Sequence, residues 1–291
     1  MDAALVQFLS SGITEGSRYA LAALGFTLIY NASGAINFAQ GESIMLGGMM
    51  TAVLLGIGMP YSAAIMCAVL VALVTSVVLQ KLAVHTLNKS GVLTVIILTV
   101  AFGMILRGFV QAFWGTATRS LPPFTSAEPL RFLGGTILPQ TLWVIAVTTI
   151  VLLALGWFFR YSRVGRAFLA AASNAETAQL MGINVRFILL LAFVIAGFLG
   201  SVAGVVTGPI TYTSYDAGMM VGLKAIIAAI VGGMGSVPGA VVGGLLLGLA
   251  EALTAGYISS QYKDAVPFLI VVLVFLVRPN GFFGRPHLER V

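Results

Sequence analysis

The fold class this sequence predicts is all-α: a polytopic bundle of transmembrane helices, eight or nine spans with some broken or re-entrant. Three observations predict it. The chain of 291 residues is 59% hydrophobic and only 8% charged, with a mean hydropathy of +1.05. Its apolar runs approach the ~20 residues that a helix needs to cross a hydrocarbon core. Runs such as residues 61–79 and 187–206 are continuously apolar, without the alternation of a barrel strand. Backbone groups in lipid must be satisfied internally, so only helices or a closed barrel can span it, and this pattern selects helices. The 34 glycines agree, since helices in a bilayer associate through close backbone approach.

In order, spans are expected at residues 5–30, 42–58, 61–80, 91–114, 137–159, 187–208, 219–235, 238–256 and 265–277. The first follows Met1-Asp2-Ala3-Ala4, which lacks the basic leader of a signal peptide, so it is read as a retained span. It contains Glu15 and Arg18, one helical turn apart and able to neutralise each other. Cys67 lies in an apolar span and has no second cysteine to pair with. Arg107 is close enough to the end of its span to snorkel, and Lys224 sits near a boundary in the same way. The span at 219–235 ends in Gly232-Gly233-Met234-Gly235, so a re-entrant or broken helix there would make eight spans. No linker or low-complexity tract divides the chain, and residues 1–291 read as one membrane domain.

Basic residues orient the bundle. Nine of the 15 Lys and Arg fall at Lys81 and Lys89; at Arg160, Arg163, Arg166 and Arg186; and at Arg278, Arg285 and Arg290. The positive-inside rule makes these regions cytoplasmic. Residues 115–140 and 209–218 hold only Arg119 and Arg131 and are expected outside, with the amino terminus outside and the carboxyl terminus inside. The positive charge belongs to these loops and gives no footing to nucleic-acid binding.

Several chemistries are excluded. A phosphate-binding loop needs Gly before its Lys, and the four lysines follow Gln80, Asn88, Leu223 and Tyr262. Two histidines, His85 and His287, and one cysteine supply no metal-ligand pattern. No G-x-S-x-G elbow is present, and no catalytic residue is expected. A secondary transporter would need a carboxylate cluster for ion coupling, whereas Glu15, Glu42 and Glu251 are scattered. Such a transporter, or a channel for a small polar solute, is the alternative that works without an ATPase.

Three stretches stand out. Residues 30–42 interrupt apolar spans with Asn31, Asn37, Gln40 and Glu42, and with Gly34 and Gly41. They read either as a tight turn or as a helix break whose exposed ends contact a solute. Gly200, Gly204 and Gly208, and again Gly235, Gly239 and Gly243, share the pattern G-S-V-x-G-x-V-x-G, which forms a packing stripe or reflects a duplicated half. Residues 162–185 are polar and helix-prone between two apolar spans, the character of a docking surface.

The run from Tyr19 to Tyr30, Y-A-L-A-A-L-G-F-T-L-I-Y, followed by G-A-I-N-F-A-Q-G-E from Gly34 to Glu42, resembles the amino-terminal signature of the branched-chain amino acid ABC importer permeases, the smaller of the two permease types. Residues 165–183 resemble that family's cytoplasmic loop, and residues 222–244 resemble its glycine-rich block. The family commonly has His where this chain has Gln40, which leaves a hydrogen-bonding or packing role intact there.

The resemblance implies a non-catalytic subunit of the bacterial inner membrane, without a cofactor of its own. It would pair with a second homologous permease, two cytoplasmic ATPases that bind ATP and Mg, and an extracytoplasmic solute-binding protein. Branched-chain or other neutral amino acids are the expected cargo, in a family that also includes urea-type systems. The loop at about residues 160–187 would couple to the ATPases through Arg163, Gly165, Arg166, Ala171, Ala172, Asn174, Ala175, Glu176 and Gly182. A short helix over residues 171–182, ended by Gly182, is expected to dock there by its alanine face.

Overall fold

A computed structural model describes residues 3–125, 128–132 and 135–284. Arg285, Arg290 and His287 lie outside the described residues, as do Met1 and Asp2. The helices are α1 (Ala3–Ser33), α2 (Gln40–Gly56), α3 (Tyr61–Trp114), α4 (Pro139–Tyr161), α5 (Arg163–Ser173), α6 (Ala175–Leu180), α7 (Val185–Thr211), α8 (Ala217–Gly232), α9 (Val237–Tyr257) and α10 (Val266–Val277). A short antiparallel hairpin, β1 (Leu130–Phe132) with β2 (Gly135–Ile137), lies between α3 and α4 in the chain and is not announced by the apolar pattern.

Among the described residues, five helical segments are long and apolar enough to cross a membrane: Tyr61–Thr86, Gly91–Trp114, Pro139–Tyr161, Val185–Thr211 and Val237–Tyr257. The two halves of α3 are not joined by a loop, as the sequence pattern suggests. Helix continues through residues 81–90 until Gly91, whose φ of 81° and ψ of −178° an L side chain rarely adopts, and a kink follows there. The outer helices expose their apolar side chains. Only 17% of an 18-residue apolar stretch of α4 is buried in protein, against 67% for the corresponding stretch of α7. Met66, Leu70, Leu93, Ile97, Phe109 and Leu153 project outward, the inverse of a water-soluble surface. Trp143 and Trp157 stand about 21 Å apart along α4, at 1.5 Å per residue, near the two ends of the apolar band where amphipathic rings settle.

Inside this ring, α1 packs on α9 and α7, and α2 on α7. Glycines set the spacing. A methyl group on Gly244 would strike the Ala20 backbone, and one on Gly248 would strike Gly16, so α1 and α9 run antiparallel with backbones almost touching. The centre is made of Leu21, Leu24, Leu28, Phe193, Leu199 and Leu247.

Helix α2 begins inside the bundle. Gln40 Nε2 donates to the Ala196 carbonyl at 2.8 Å, and Ala196 is about 16 Å along α7 from its start, at 1.5 Å per residue. Residues 34–39 therefore climb back from the end of α1 as a re-entrant stretch. At the same end, the turn between α8 and α9 is covered by the chain after α10: Phe282 N donates to Val231 O at 3.0 Å and Phe283 N to Gly232 O at 2.9 Å, satisfying carbonyls at the end of α8.

Candidate functional site

Charged side chains that the sequence scatters meet at the amino-terminal end of the bundle. Glu15, Arg18 and Tyr19 come from α1, Lys224 from α8, Glu251 from α9, and Lys263 and Asp264 from the loop before α10. They line a chamber of about 400 Å³ together with Ser11, Thr118, Thr211, Thr213 and Ser214. Lys224 Nζ lies 2.9 Å from Glu251 Oε1 and 2.6 Å from Asp264 Oδ1. Tyr19 OH donates to Glu251 Oε2 at 2.8 Å, and Arg18 Nη2 reaches Glu15 Oε2 at 3.2 Å. The Tyr19 ring lies 5.8 Å from both the Lys224 ammonium and the Arg18 guanidinium, within cation–π range. In the loop, the hydrogen bond from Lys224 holds the Asp264 carboxyl below its ordinary pKa.

Lys224 is thus not a boundary residue reaching for water. Its side chain is 8% exposed and points inward, because small residues of α8, α1 and α9 bring Glu251 within reach. Buried ions of both signs in an apolar chain were the available signal. What sequence could not show is that residues 232 positions apart, Tyr19 and Glu251, share one hydrogen bond.

A second buried pair joins α2 to α3. Arg107 Nε lies 3.1 Å from Glu42 Oε1, and Glu42 is 3% exposed; Arg107 therefore pairs instead of snorkelling. Beside it, a methyl on Gly41 would fall on the Gly218 carbonyl oxygen. The other polar residues of the 31–42 stretch are each hydrogen-bonded to backbone. Asn31 Nδ2 donates to Gly235 O at 2.9 Å, Asn37 Oδ1 accepts from Ala39 N at 3.0 Å, and Gln40 is held by Ala196 as described. None of Asn31, Asn37, Gln40 and Glu42 lines the chamber.

The glycine stripes differ from one another. Gly200 and Gly204 face Ser43 and Ile44 of α2, and Gly208 faces Leu121. Gly239 and Gly243 face the backbones of Gly232 and Ala228 in α8, but Gly235 is outside α9, in the preceding turn with φ of 91°.

At the opposite end, residues 162–184 form a two-helix platform, where the sequence suggests one helix over 171–182. The break is Asn174, extended at φ −157° and ψ 105°, whose Oδ1 accepts from Thr177 N at 2.8 Å and starts α6. Ser162 caps α5 at 2.8 Å and Asn184 caps α7 at 3.1 Å. Gly182, with φ of 82°, lies just beyond α6. Gly165 lies on the Phe158 backbone, and Phe168 is buried with its ring 5.3 Å from that of Phe159, so α5 is fastened to the end of α4. Ala171 faces this seam and is buried, and Ala172 is half-buried. The outward face instead presents Arg163, Arg166, Ala175, Glu176, Leu180 at 88% exposure and Met181 at 80%. Among the described residues no ion pair engages Arg163, Arg166 or Glu176.

Comparison with known proteins places this architecture. The family described as "Branched-chain amino acid transport system / permease component" matches residues 8–275. The high-affinity branched-chain amino acid transport system permease protein LivH of Escherichia coli (strain K12) is 37% identical, over 98% of this chain and 97% of that one. BraD of Pseudomonas aeruginosa, with the same description, is 34% identical over 98% of each chain. The ribose import permease protein RbsC of Escherichia coli (strain K12) is 26% identical over 91% of this chain and 83% of its own. With its apolar helices and this likeness over nearly its whole length, the chain is a multi-pass inner-membrane protein and belongs to the branched-chain amino acid transport system permease family.

Proposed function

We propose that this chain is the membrane subunit of an ATP-driven importer for branched-chain or other neutral amino acids, and that it works by alternating access. It pairs with a second homologous permease, is driven by two cytoplasmic ATPases that bind ATP and Mg, and receives its solute from an extracytoplasmic binding protein. The chain itself is non-catalytic. The chamber end faces outward and the platform end faces the cytoplasm, in keeping with the basic residues Arg160, Arg163, Arg166 and Arg186.

The observation that carries this reading is the platform. A docking element that transmits force must be rigid toward its own bundle and adhesive toward its partner. Here Phe168 and Gly165 fasten α5 to α4, while Leu180 and Met181 are left almost fully exposed between polar neighbours. The ATPase cleft takes these two side chains as its apolar anchor, with Glu176, Arg163 and Arg166 fixing orientation. The exposed pair replaces the alanine face as the source of fit.

The test is reconstitution of permeases, ATPases and binding protein in liposomes, with leucine uptake and ATP hydrolysis measured together. Loaded binding protein should stimulate hydrolysis, and L180D/M181D should remove both stimulation and uptake while the permease stays folded. Sustained uphill uptake by the permease without an ATPase would overturn the reading in favour of a secondary transporter.

A further inference from the structure

The chamber has an unusual charge balance. Three carboxylates, Glu15, Glu251 and Asp264, face three cations, Arg18, Lys224 and Lys263, in a cavity of about 400 Å³, within the ~300–1,000 Å³ of small-molecule sites. Its hydrogen-bonding capacity is incompletely used. Glu251 Oε1 and Glu15 Oε2 accept no aligned hydrogen bond, and Arg18 Nε donates none, within the described protein, although each side chain touches an opposite charge. Buried polar atoms of this kind call for a partner.

We infer that this chamber binds the zwitterionic head of a free α-amino acid, its carboxylate taking the place of Asp264 on Lys224 and its ammonium held between Glu251 and Glu15. The inference rests on the importer reading given above. Charge balance selects the ligand class: a lone anion or cation entering a neutral, partly desolvated site leaves one charge uncompensated, whereas a zwitterion adds both signs together. Asp264 is the group that can yield. Its side chain is 53% exposed and stands on a loop, so it regains water on leaving, whereas Glu251, 7% exposed on α9, cannot. Arg18 offers its Nε as a second donor to the carboxylate. The amino-acid side chain then points toward Ala252, Ala255 and Val221, small apolar residues that ask little of its shape.

The experiment uses the complete complex in nanodiscs, without binding protein, and follows thermal unfolding against L-leucine, 3-methylbutylamine and 4-methylpentanoate through the millimolar range. Leucine should raise the unfolding temperature, and the amine and the acid, each lacking one charge, should not. No shift with leucine, or equal shifts with all three, overturns the inference. K224Q and E251Q should each lower leucine uptake by roughly 30-fold or more, the loss expected when one member of a buried charge pair is removed. A merely structural pair is separated by K224M/E251M. If packing alone matters, the double variant regains both assembly and uptake, and the inference fails; if the chamber binds ligand, it regains assembly but neither uptake nor stabilisation by leucine. Wild-type ATP-dependent uptake in liposomes reports on the importer reading independently, so its failure is recognised apart from failure of the site.

Discussion

Two buried ion pairs among the described residues have similar chemistry and opposite surroundings. Glu42 and Arg107 meet at 3.1 Å where Gly41 lies against the Gly218 backbone, and the chamber does not extend to them. Lys224 and Glu251 meet at 2.9 Å on the wall of a chamber, with a third, exposed partner in Asp264. The first pair fastens α2 to α3. The second is attached to space and to a group that can leave. A buried charge in a membrane protein therefore says little about role until its free volume is known, even though both pairs meet the usual expectation that intramembrane ions are functional.

The comparison breaks most violently at the glycine crossing. Gly41→Leu puts a side chain where the Gly218 carbonyl lies, and no rotamer avoids backbone. A loss of more than about 4 kcal/mol is expected, enough to abolish recovery of folded complex in size-exclusion chromatography. Gly204→Leu and Gly239→Leu should follow for the same reason, against Ile44 and Gly232.

Next come the pairs themselves. Arg107→Met leaves Glu42 buried without its partner, at a cost of about 3–5 kcal/mol, whereas E42M/R107M should restore stability because apolar packing replaces a buried pair well. The distinguishing measurement is uptake: E42M/R107M should transport, while K224M/E251M should assemble and not transport. If both double variants transport, the proposed contrast disappears.

A smaller effect is expected at the platform. Asn174→Ala removes the cap that starts α6 and should cost about 1 kcal/mol locally, seen as faster hydrogen exchange of residues 175–180 with the bundle unaffected.

The smallest concerns Asp264. Its folded pKa lies below its unfolded value, so it stabilises the fold above the ordinary aspartate range, and this contribution is lost as pH falls through the lowered value. The wild type should therefore be slightly more stable than D264N from neutral pH down to about 5, and the gap should close below about pH 4. A gap that widens on acidification would show that Lys224 does not hold Asp264.

What the sequence made legible follows from local physics. Apolar runs located the spans, and the small, amide-rich residues 31–42 marked the break that became a re-entrant stretch. The kink at Gly91 was hidden because residues 81–90 are polar enough to resemble a loop while remaining good helix. Helix α1 was legible only as an ordinary span, although it falls below the hydropathy of the five evident ones. It can do so because protein surrounds it: Tyr19, Leu24 and Leu28 are each at most 2% exposed. The chamber was illegible for a different reason. Its charges come from α1, α8, α9 and a loop, and only Glu15 with Arg18 and Lys263 with Asp264 are near neighbours in sequence. Glu15 and Arg18 looked self-sufficient, and Lys224 looked like a residue at an edge.

The re-entrant stretch has a consequence for biogenesis. The hydrogen bond that seats Gln40 goes to the carbonyl of Ala196, 156 residues later in the chain. At about 5–20 residues per second, a ribosome needs roughly 8–30 s to make that partner after Gln40 itself. During that interval α2, only 17 residues long, has its first turn in no settled place. The amino-terminal third of the protein must therefore be sheltered by the insertion machinery, or by lipid headgroups, until α7 arrives. A chain truncated before residue 190 should leave a cysteine placed at Gln40, in a Cys67→Ala background, open to a water-soluble thiol reagent, and the full-length chain should close it. Equal protection in both would mean that the stretch seats itself without α7.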